Sequence, residues 1–269
     1  TTPEGLHTNA VYGFLNIMFK ILDEEKPEYL TVTFDVHAPT FRHEMFSEYK
    51  GTRKPMAEEL RQQVPVIKEV LEAMNISTIE KAGLEADDLL GTLSRMCEES
   101  GMDVSIISGD RDTLQLATEH VKIRIPKTKQ GKTEIENYYA ADVVERYKVT
   151  PREFIDVKAL MGDASDNIPG VPSIGEKTAT NLIVAYGSIE NAYAHLNEIK
   201  PPRAQKALAE HYDLAQMSKK LATICIDCPV EFSYADMEVG NLYTQEAYKY
   251  MKRLEFKSIL ARFDADHMA

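Results

Sequence analysis

Residues 83–112, with the sequence GLEADDLLGTLSRMCEESGMDVSIISGDRD, contain a predicted helix followed by a predicted buried strand. Apolar residues in the first half recur at helical spacing, and Gly101 ends the helix. The second half passes through Val104 and Ile107, a short β-branched run that is typical of a buried strand. The alternation of strands and helices along the chain predicts an α/β fold with a mostly parallel central sheet flanked by helices.

This stretch contains five carboxylates that we expect at one edge of the sheet. Three lie at the start of the helix, and two follow the strand at its carboxyl end, where open α/β sheets bind ligands. Converging carboxylates repel one another unless cations lie among them, and carboxylate oxygens favour Mg²⁺ or Mn²⁺. The alternative is that these side chains only cap the helix or form a turn. The five residues are Glu85, Asp87, Asp88, Asp110 and Asp112.

Three further acidic residues strengthen the metal-binding interpretation. Residues 29–35, YLTVTFD, are predicted to form a strand that ends in Asp35 and so repeats the geometry of Asp110. Asp163 and Asp166 lie in a loop that contains glycine and serine and follows a predicted helix. The sequence therefore offers eight candidate metal ligands.

Residues 36–56 lack helical or strand periodicity and mix basic with aromatic side chains. This mixture suits a segment whose rings stack on unpaired bases while its cations bind phosphates. A plain polar surface loop is the alternative, although such a loop seldom contains three aromatic residues. We therefore predict a nucleic-acid contact that involves Arg42, Lys50, Arg53 and Lys54, with Phe41, Phe46 and Tyr49.

Residues 170–179, GVPSIGEKTA, predict the tight turn of a helix–hairpin–helix. Glycine permits positive φ and close backbone approach, and the start of the next helix offers free N–H groups to a phosphate. Such a motif binds the duplex backbone without reading its sequence. An ordinary corner between two helices is the alternative. Other helices are predicted at residues 9–25, 58–74, 113–117, 139–147 and 151–161. Beyond residue 179 the chain is predicted to be all helical, with helices at residues 181–186, 189–196, 203–212, 214–226 and 245–256.

The composition narrows the class of protein. With 269 residues, of which 43% are hydrophobic and 28% are charged, the chain has the composition of a globular protein. A net charge of −12 argues against a non-specific nucleic-acid coat protein, but not against a nuclease whose acidity surrounds metal ions. No apolar run approaches the roughly 20 residues of a membrane span, and no secretory signal is visible. We therefore expect a cytoplasmic protein.

Four motifs together resemble the 5′-nuclease domains at the N-terminus of bacterial DNA polymerase I, in the flap endonuclease superfamily. The resemblance runs over nearly the whole chain. It implies a PIN-like nuclease core that hydrolyses DNA at 5′ flaps, nicks and 5′ ends, as in primer removal, nick translation and repair. The motifs are FDxxxxTFRHExxxxYKGxR at residues 34–53, GLEADD at 83–88, SGDRD at 108–112 and GDASDNIPGVPSIGEKTA at 162–179.

By this resemblance, the eight carboxylates would bind or support two divalent cations, Mg²⁺ or Mn²⁺. Asp35 would join the carboxylates of residues 85–112, and Asp163 with Asp166 would complete the second metal position. Lys50 and Arg53 would be the catalytic residues that steer the scissile phosphate.

The resemblance also implies the DNA contacts. Tyr49 would stack on an unpaired base, and Arg42 would contact a DNA phosphate, beside Lys50 and Arg53. The hairpin would bind the duplex, with a K⁺ ion between its carbonyls and the DNA. Its contact residues would be Gly170, Val171, Ile174, Gly175, Lys177 and Thr178.

The expected organisation has two parts packed as one nuclease unit. Residues 1–162 would form the α/β nuclease core, including an arch at residues 36–61 that orders around a single-stranded 5′ end. Residues 163–269 would form the helix–hairpin–helix and the helical C-terminal part. We expect a monomer that binds DNA and no membrane, and the resemblance leaves open a covalently linked polymerase domain.

Members of this family begin with a short strand that ends in a metal-binding Asp, whereas this sequence starts at Thr1, just before the first helix. We expect that strand to exist in the molecule, because losing an interior strand would remove pairing and burial that a marginally stable domain needs. Two alternatives remain: a structure-specific DNA-binding module with an incomplete metal site, and a PIN-like ribonuclease. The hairpin that follows Asp166 argues against the ribonuclease.

Overall fold

The structure, a computed structural model, describes Thr2 and residues 5–264. In this part of the chain no helix combines the length and the apolar character needed to cross a membrane. The strands are β1 (Thr31–Thr33), β2 (Ser77–Ile79), β3 (Val104–Ile107), β4 (Val121–Lys129) and β5 (Lys132–Tyr138). The helices are α1 (Asn9–Glu25), α2 (Phe41–Met45), α3 (Glu58–Ala73), α4 (Ala86–Glu99), α5 (Ala140–Tyr147), α6 (Pro151–Met161), α7 (Glu176–Tyr186), α8 (Ile189–Ala194), α9 (Pro202–Glu210), α10 (Tyr212–Ala222), α11 (Tyr234–Met237), α12 (Gln245–Arg253) and α13 (Lys257–Phe263), with 3₁₀ helices at Arg111–Leu116 and Leu196–Glu198.

Helices α1 and α6 have the predicted bounds, but two local predictions were wrong. The segment without periodicity contains α2, which is too short for periodicity to reveal. Its start is stabilised by the Thr40 hydroxyl, which accepts a hydrogen bond from the backbone N–H of Arg42 (3.3 Å). The predicted helix 245–256 begins as expected but ends early, at Arg253, because Glu255 has a φ of +61°, and α13 begins only at Lys257.

One compact unit comprises Thr1–Phe34, Lys54–Glu80 and Val230–Ala269. In it, β1 and β2 pair in parallel over three residues. Helices α1, α3, α12 and α13 bury their apolar faces in a shared core. Its fully buried side chains include Leu15, Leu71, Met74, Met251 and Phe263.

The other compact unit comprises Asp35–Arg53 and Lys81–Pro229, and it contains every candidate site residue except Lys54, which begins a segment of the first unit. Here β3 pairs in parallel with β4, and β4 turns back into the antiparallel β5. Helix α6 packs against α7 and α10. Alternate residues of β4, namely Val121, Ile123 and Ile125, are buried in the core of this unit, as the period of a strand requires.

The α/β class is confirmed, and both strand pairs that are separated by helices are parallel. Within the described residues, however, the strands form two small sheets and not one central sheet. The predicted boundary between residues 162 and 163 lies inside the second unit, and the predicted arch 36–61 is divided between the two units. The predicted domain ends, at residues 1 and 269, lie outside the described residues.

Two glycines shape the loop that carries Asp163 and Asp166. Gly162 and Gly170 have φ values of +76° and +65°, and a Cβ on Gly170 would lie 2.5 Å from the backbone nitrogen of Gly162. The two backbones therefore approach more closely than any other residue type allows. This contact closes the loop. Asp163 and Ile168 also stabilise it by exchanging two backbone hydrogen bonds of 3.0 and 2.9 Å.

We expect Gly170→Ala to destabilise the protein, because the new methyl group combines left-handed backbone strain with a clash against the backbone of Gly162. The loss should be at least about 1–3 kcal/mol of unfolding free energy, measured by chemical denaturation. The matched control is Gly175→Ala, because Gly175 has a φ of −94° and its Cβ would meet no described heavy atom within 4 Å. Equal stability of the two variants would contradict this description of the loop.

Candidate metal centre

A cavity of about 210 Å³ in the second unit gathers most of the candidate site residues. Six of the eight candidate carboxylates line it, together with four cationic side chains and the ring of Tyr49. The carboxylates are Asp35, Glu85, Asp87, Asp110, Asp112 and Asp166, and the cations are Arg42, Lys50, Arg53 and Lys158.

The start of α4 positions the first group of carboxylates. Asp88 accepts a 3.1 Å hydrogen bond from the backbone N–H of Glu85, which closes the first turn of the helix. Asp35 accepts a 2.7 Å hydrogen bond from the backbone N–H of Ala86. The helix start therefore binds Asp35 directly and presents Glu85 and Asp87 to the cavity.

Asp87 and Asp110 both line the cavity and are close enough for a hydrogen bond between their carboxyl groups. Burial, then this hydrogen bond and the charge of Asp110, raise the pKa of Asp87 to about 8. Burial also raises the pKa of Asp112 to about 6, although the Lys158 ammonium opposes the shift. Two neighbouring carboxylates that share a proton are a site where a bound cation can replace that proton.

The other carboxylates converge around Lys158. Among the described residues, Asp112, Asp163 and Asp166 each offer a carboxylate oxygen within 4.8 Å of the other two. The Lys158 ammonium contacts Asp112, and it lies 2.7 Å from Oδ2 of Asp163. Burial disfavours the charge of Asp163, but Lys158 and two backbone N–H groups outweigh it and lower the pKa of Asp163. Three carboxylate oxygens that lie this close together suit a divalent cation such as Mg²⁺, which prefers oxygen ligands.

Arg42 and Asp88 lie in the interior. The Arg42 side chain is 4% exposed, and its guanidinium forms a bidentate pair with Asp88, with N–O distances of 2.8 and 2.9 Å. It also donates to Glu85 and to two backbone carbonyls. All five N–H donors are thus engaged. Asp88, which is 0% exposed, accepts two further backbone hydrogen bonds.

Three other residues of the predicted arch contact carboxylates of the cavity. Tyr49 is 4% exposed, and its hydroxyl donates to Glu85 at 3.2 Å, so its ring is buried in this conformation. The Lys50 ammonium pairs with Glu85. The Arg53 guanidinium pairs with Asp166 and donates to the carbonyl of Ser165 at 3.1 Å. Lys50 and Arg53 therefore lie at the cavity beside the acidic residues.

The predicted hairpin residues lie just beyond this cavity. The turn 170–175 directly precedes α7, but residues 162–169 separate it from α6, so it does not join two helices tightly as expected. The side chains of Val171 and Ile174 are buried, and Lys177 is exposed. Lys177 lines a second cavity, of about 830 Å³, whose walls also include Asp112, Lys158 and Asp163.

Lys158 was missed by the reasoning from sequence. It lies in α6 among residues that are buried on all sides of the helix, from Ile155 to Leu160. A charged residue in such a buried run is unusual unless it has an acidic partner. The sequence contains no such signal, because the segment also contains other charged residues and its burial is seen only in the fold. The acidic partners come from the 3₁₀ helix and from the loop after α6, which only the fold brings together.

In the absence of divalent cations, the unfolding free energy should fall as pH rises from about 4 to about 8. The pKa of Asp87 is about 8 in the folded protein against an ordinary value of 3.8, so the folded state binds more protons in this range. Asp87→Asn keeps the shape of the side chain but removes its titrating carboxyl group. We therefore expect it to flatten the dependence of the unfolding free energy on pH, measured by chemical denaturation in EDTA. Parallel pH profiles for the two proteins would contradict the assignment.

Comparison with known sequences identifies the family. Residues 1–148 match the family described as "5'-3' exonuclease, N-terminal resolvase-like domain", and residues 149–245 match "5'-3' exonuclease, C-terminal SAM fold". The chain is 46% identical over 262 residues to DNA polymerase I of Bacillus caldotenax, covering 97% of this chain and 30% of that protein. It is 43% identical over 266 residues to DNA polymerase I of Bacillus subtilis, covering 99% of this chain and again 30% of that protein.

Solved structures share the fold. The T5 5′-exonuclease with bound zinc superimposes with a TM-score of 0.69 at 21% identity, covering 98% of this chain and 91% of that one. The catalytic core of Rad2 in complex with DNA substrate has a TM-score of 0.61 at 17% identity, covering 94% of this chain and 83% of that one. The chain therefore belongs to the 5′-3′ exonuclease family.

Proposed function

We propose that this protein hydrolyses DNA phosphodiester bonds at 5′ flaps, nicks and 5′ ends, using two divalent cations, Mg²⁺ or Mn²⁺. The observation that carries the proposal is the cavity in which six carboxylates meet Lys50 and Arg53. Acidic residues can hold cations, and basic residues beside them can bind a phosphate. The family match supports the same activity.

Two groups of carboxylates would hold the cations. Asp35, Asp87 and Asp110 would serve one position, and the cluster of Asp112, Asp163 and Asp166 would serve the other. When bound, divalent cations in such a site favour deprotonation of water and stabilise negative charge on phosphate oxygens.

Lys50 and Arg53 would bind the scissile phosphate. Both pair with a carboxylate of the cavity, Lys50 with Glu85 and Arg53 with Asp166. A phosphate bound to cations in the cavity would therefore lie close to both basic groups. Their positive charges would stabilise the charge that develops on the phosphate in the transition state. Their side chains are 25% and 49% exposed, which leaves room to approach a substrate.

We propose positioning roles for three residues that were expected to contact the ion or the DNA directly. Arg42 and Asp88 use all their principal hydrogen-bonding positions on each other and on neighbouring groups. Tyr49 donates to Glu85 from a buried site. In this conformation the three side chains fix Glu85 and the start of α4, and stacking by Tyr49 on a base would need the arch to rearrange.

The turn before α7 would bind the duplex backbone. Gly170 is buried, and its N–H donates to the Ser218 hydroxyl at 2.9 Å, so it shapes the turn and does not offer backbone to the DNA. Gly175 is exposed and leaves the backbone accessible to a phosphate, and α7 offers the unpaired N–H groups of its first turn. Lys177 and Thr178 lie in that turn, and Lys177 is exposed. The resemblance further supports a K⁺ ion between the turn carbonyls and the DNA.

We propose DNA as the partner of this site. A solved structure of the bacteriophage T5 flap endonuclease is described as a pseudo-enzyme-product complex with DNA and metal ions, which supports this choice. The chain spans about 30% of the length of the DNA polymerase I relatives that it matches. This share supports a covalently linked polymerase domain as a further partner, and we propose a monomer that acts in the cytoplasm.

The proposal predicts that Asp110→Asn lowers the turnover of a 5′-labelled flap DNA by about 10²-fold or more, because it removes a cation ligand. Duplex binding should change only a few-fold. Lys50→Ala should behave in the same way. The control is Asp103→Asn, because the Asp103 side chain is 91% exposed at the opposite end of β3.

The assay compares flap DNA, blunt duplex and an RNA version in Mg²⁺, Mn²⁺, Ca²⁺ and EDTA. Cleavage near the flap base that requires Mg²⁺ or Mn²⁺ would support the proposed activity. Tight flap binding without cleavage would favour a DNA-binding module, and a preference for RNA would favour a ribonuclease. Equal loss of binding and turnover in Asp110→Asn would contradict the role of Asp110 as a ligand.

A further inference from the structure

A buried ammonium lies among three of the proposed cation ligands. Lys158 is 9% exposed, and its Nζ contacts Asp112, lies 2.7 Å from Oδ2 of Asp163 and lies 3.7 Å from Oδ2 of Asp166. These are the three carboxylates that, among the described residues, converge within 4.8 Å. The ammonium is therefore at the point on which their oxygens converge.

A lysine ammonium can satisfy this cluster only in part. It has three N–H donors but a single positive charge, so three carboxylates around it keep a net negative charge. A divalent cation bound by the same oxygens would neutralise more of that charge. Oxygen ligands lie about 2.0–2.1 Å from Mg²⁺, so the ion and the ammonium would need the same space.

We propose that Lys158 competes with a divalent cation for the carboxylates of Asp112, Asp163 and Asp166, and must withdraw before the ion binds there. The inference rests on the proposed function, since it concerns the second of its two cation positions. Lys158 keeps the three carboxylates together without the ion and lowers the affinity of that position. The ion at the other position, near Asp87 and Asp110, has no such competitor among the described contacts.

The structure provides a place for the displaced ammonium. Lys158 also lines the second cavity, of about 830 Å³, with Lys177 and Thr180 of α7. A DNA phosphate bound at the start of α7 would accept the ammonium there and compensate its lost ion pairs. Binding of DNA and binding of the second ion would therefore favour each other.

The test measures Mn²⁺ binding to the whole 269-residue chain without DNA, from the electron paramagnetic resonance signal of free Mn²⁺ and by calorimetry. If the withdrawn state of Lys158 is populated below about 10%, removing the lysine raises the affinity of the second position by about ten-fold or more. We expect this gain in Lys158→Met and in Lys158→Gln, which keeps a donor for Asp163 if the first variant folds poorly.

Two further variants assign the gain to this cluster. Asp163→Asn in the Lys158→Met background should abolish the tighter ion. Lys219→Met removes a comparable, partly buried lysine of α10 that lies outside the cluster. The Lys219 ammonium is 3.0 Å from a carboxylate oxygen of Asp156 and 2.8 Å from one of Glu190. This substitution should lower stability and leave Mn²⁺ binding unchanged.

A purely structural role for Lys158 gives the opposite result, because loosening the cluster would weaken Mn²⁺ binding or leave it unchanged. If Mn²⁺ binding is weaker or unchanged in both Lys158→Met and Lys158→Gln, while the unmodified protein still cleaves flap DNA, this inference is overturned and the proposed function stands. Absence of Mn²⁺ binding by the unmodified protein and by both variants would overturn the proposed metal site and the inference together.

Discussion

The buried ion pair between Arg42 and Asp88 is the interaction on which the site depends. It joins α2, the start of α4 and the C-terminal end of α10, because Arg42 also donates to the carbonyls of Leu221 and Thr223. Burying two charges is costly unless every donor and acceptor is satisfied, and here the guanidinium and the carboxylate both are. The pair therefore holds the start of α4 in one position, and this position presents Glu85 and Asp87 to the cavity.

The cavity is built with too little positive charge for its carboxylates. Each cation that lines it pairs with at least one carboxylate, and Arg42 and Lys158 pair with more than one. Asp87 still holds a proton beside Asp110 at neutral pH. An arrangement of this kind stores unfavourable electrostatic energy that a divalent cation can release on binding.

Much of the site followed from local sequence patterns. The carboxylates at the end of β3 and at the start of α4 could be placed because strand ends and helix starts are readable from periodicity and caps. The burial of Arg42 and Tyr49 could not, because both seemed to belong to a polar, exposed segment, and their partners are distant in sequence. Nor could periodicity show that two compact units alternate along the chain, since strand pairing and packing are tertiary properties.

The central claim is that the carboxylates of the second unit form a binding site for divalent cations. The most direct measurement is a crystal structure of the protein grown with millimolar Mn²⁺, in which anomalous scattering locates the ions. We expect peaks within ligand distance of the carboxylates of Asp110, Asp112 and Asp163, and none in crystals grown with EDTA. Ions found only outside the cavity, or no anomalous peak at all, would contradict the account.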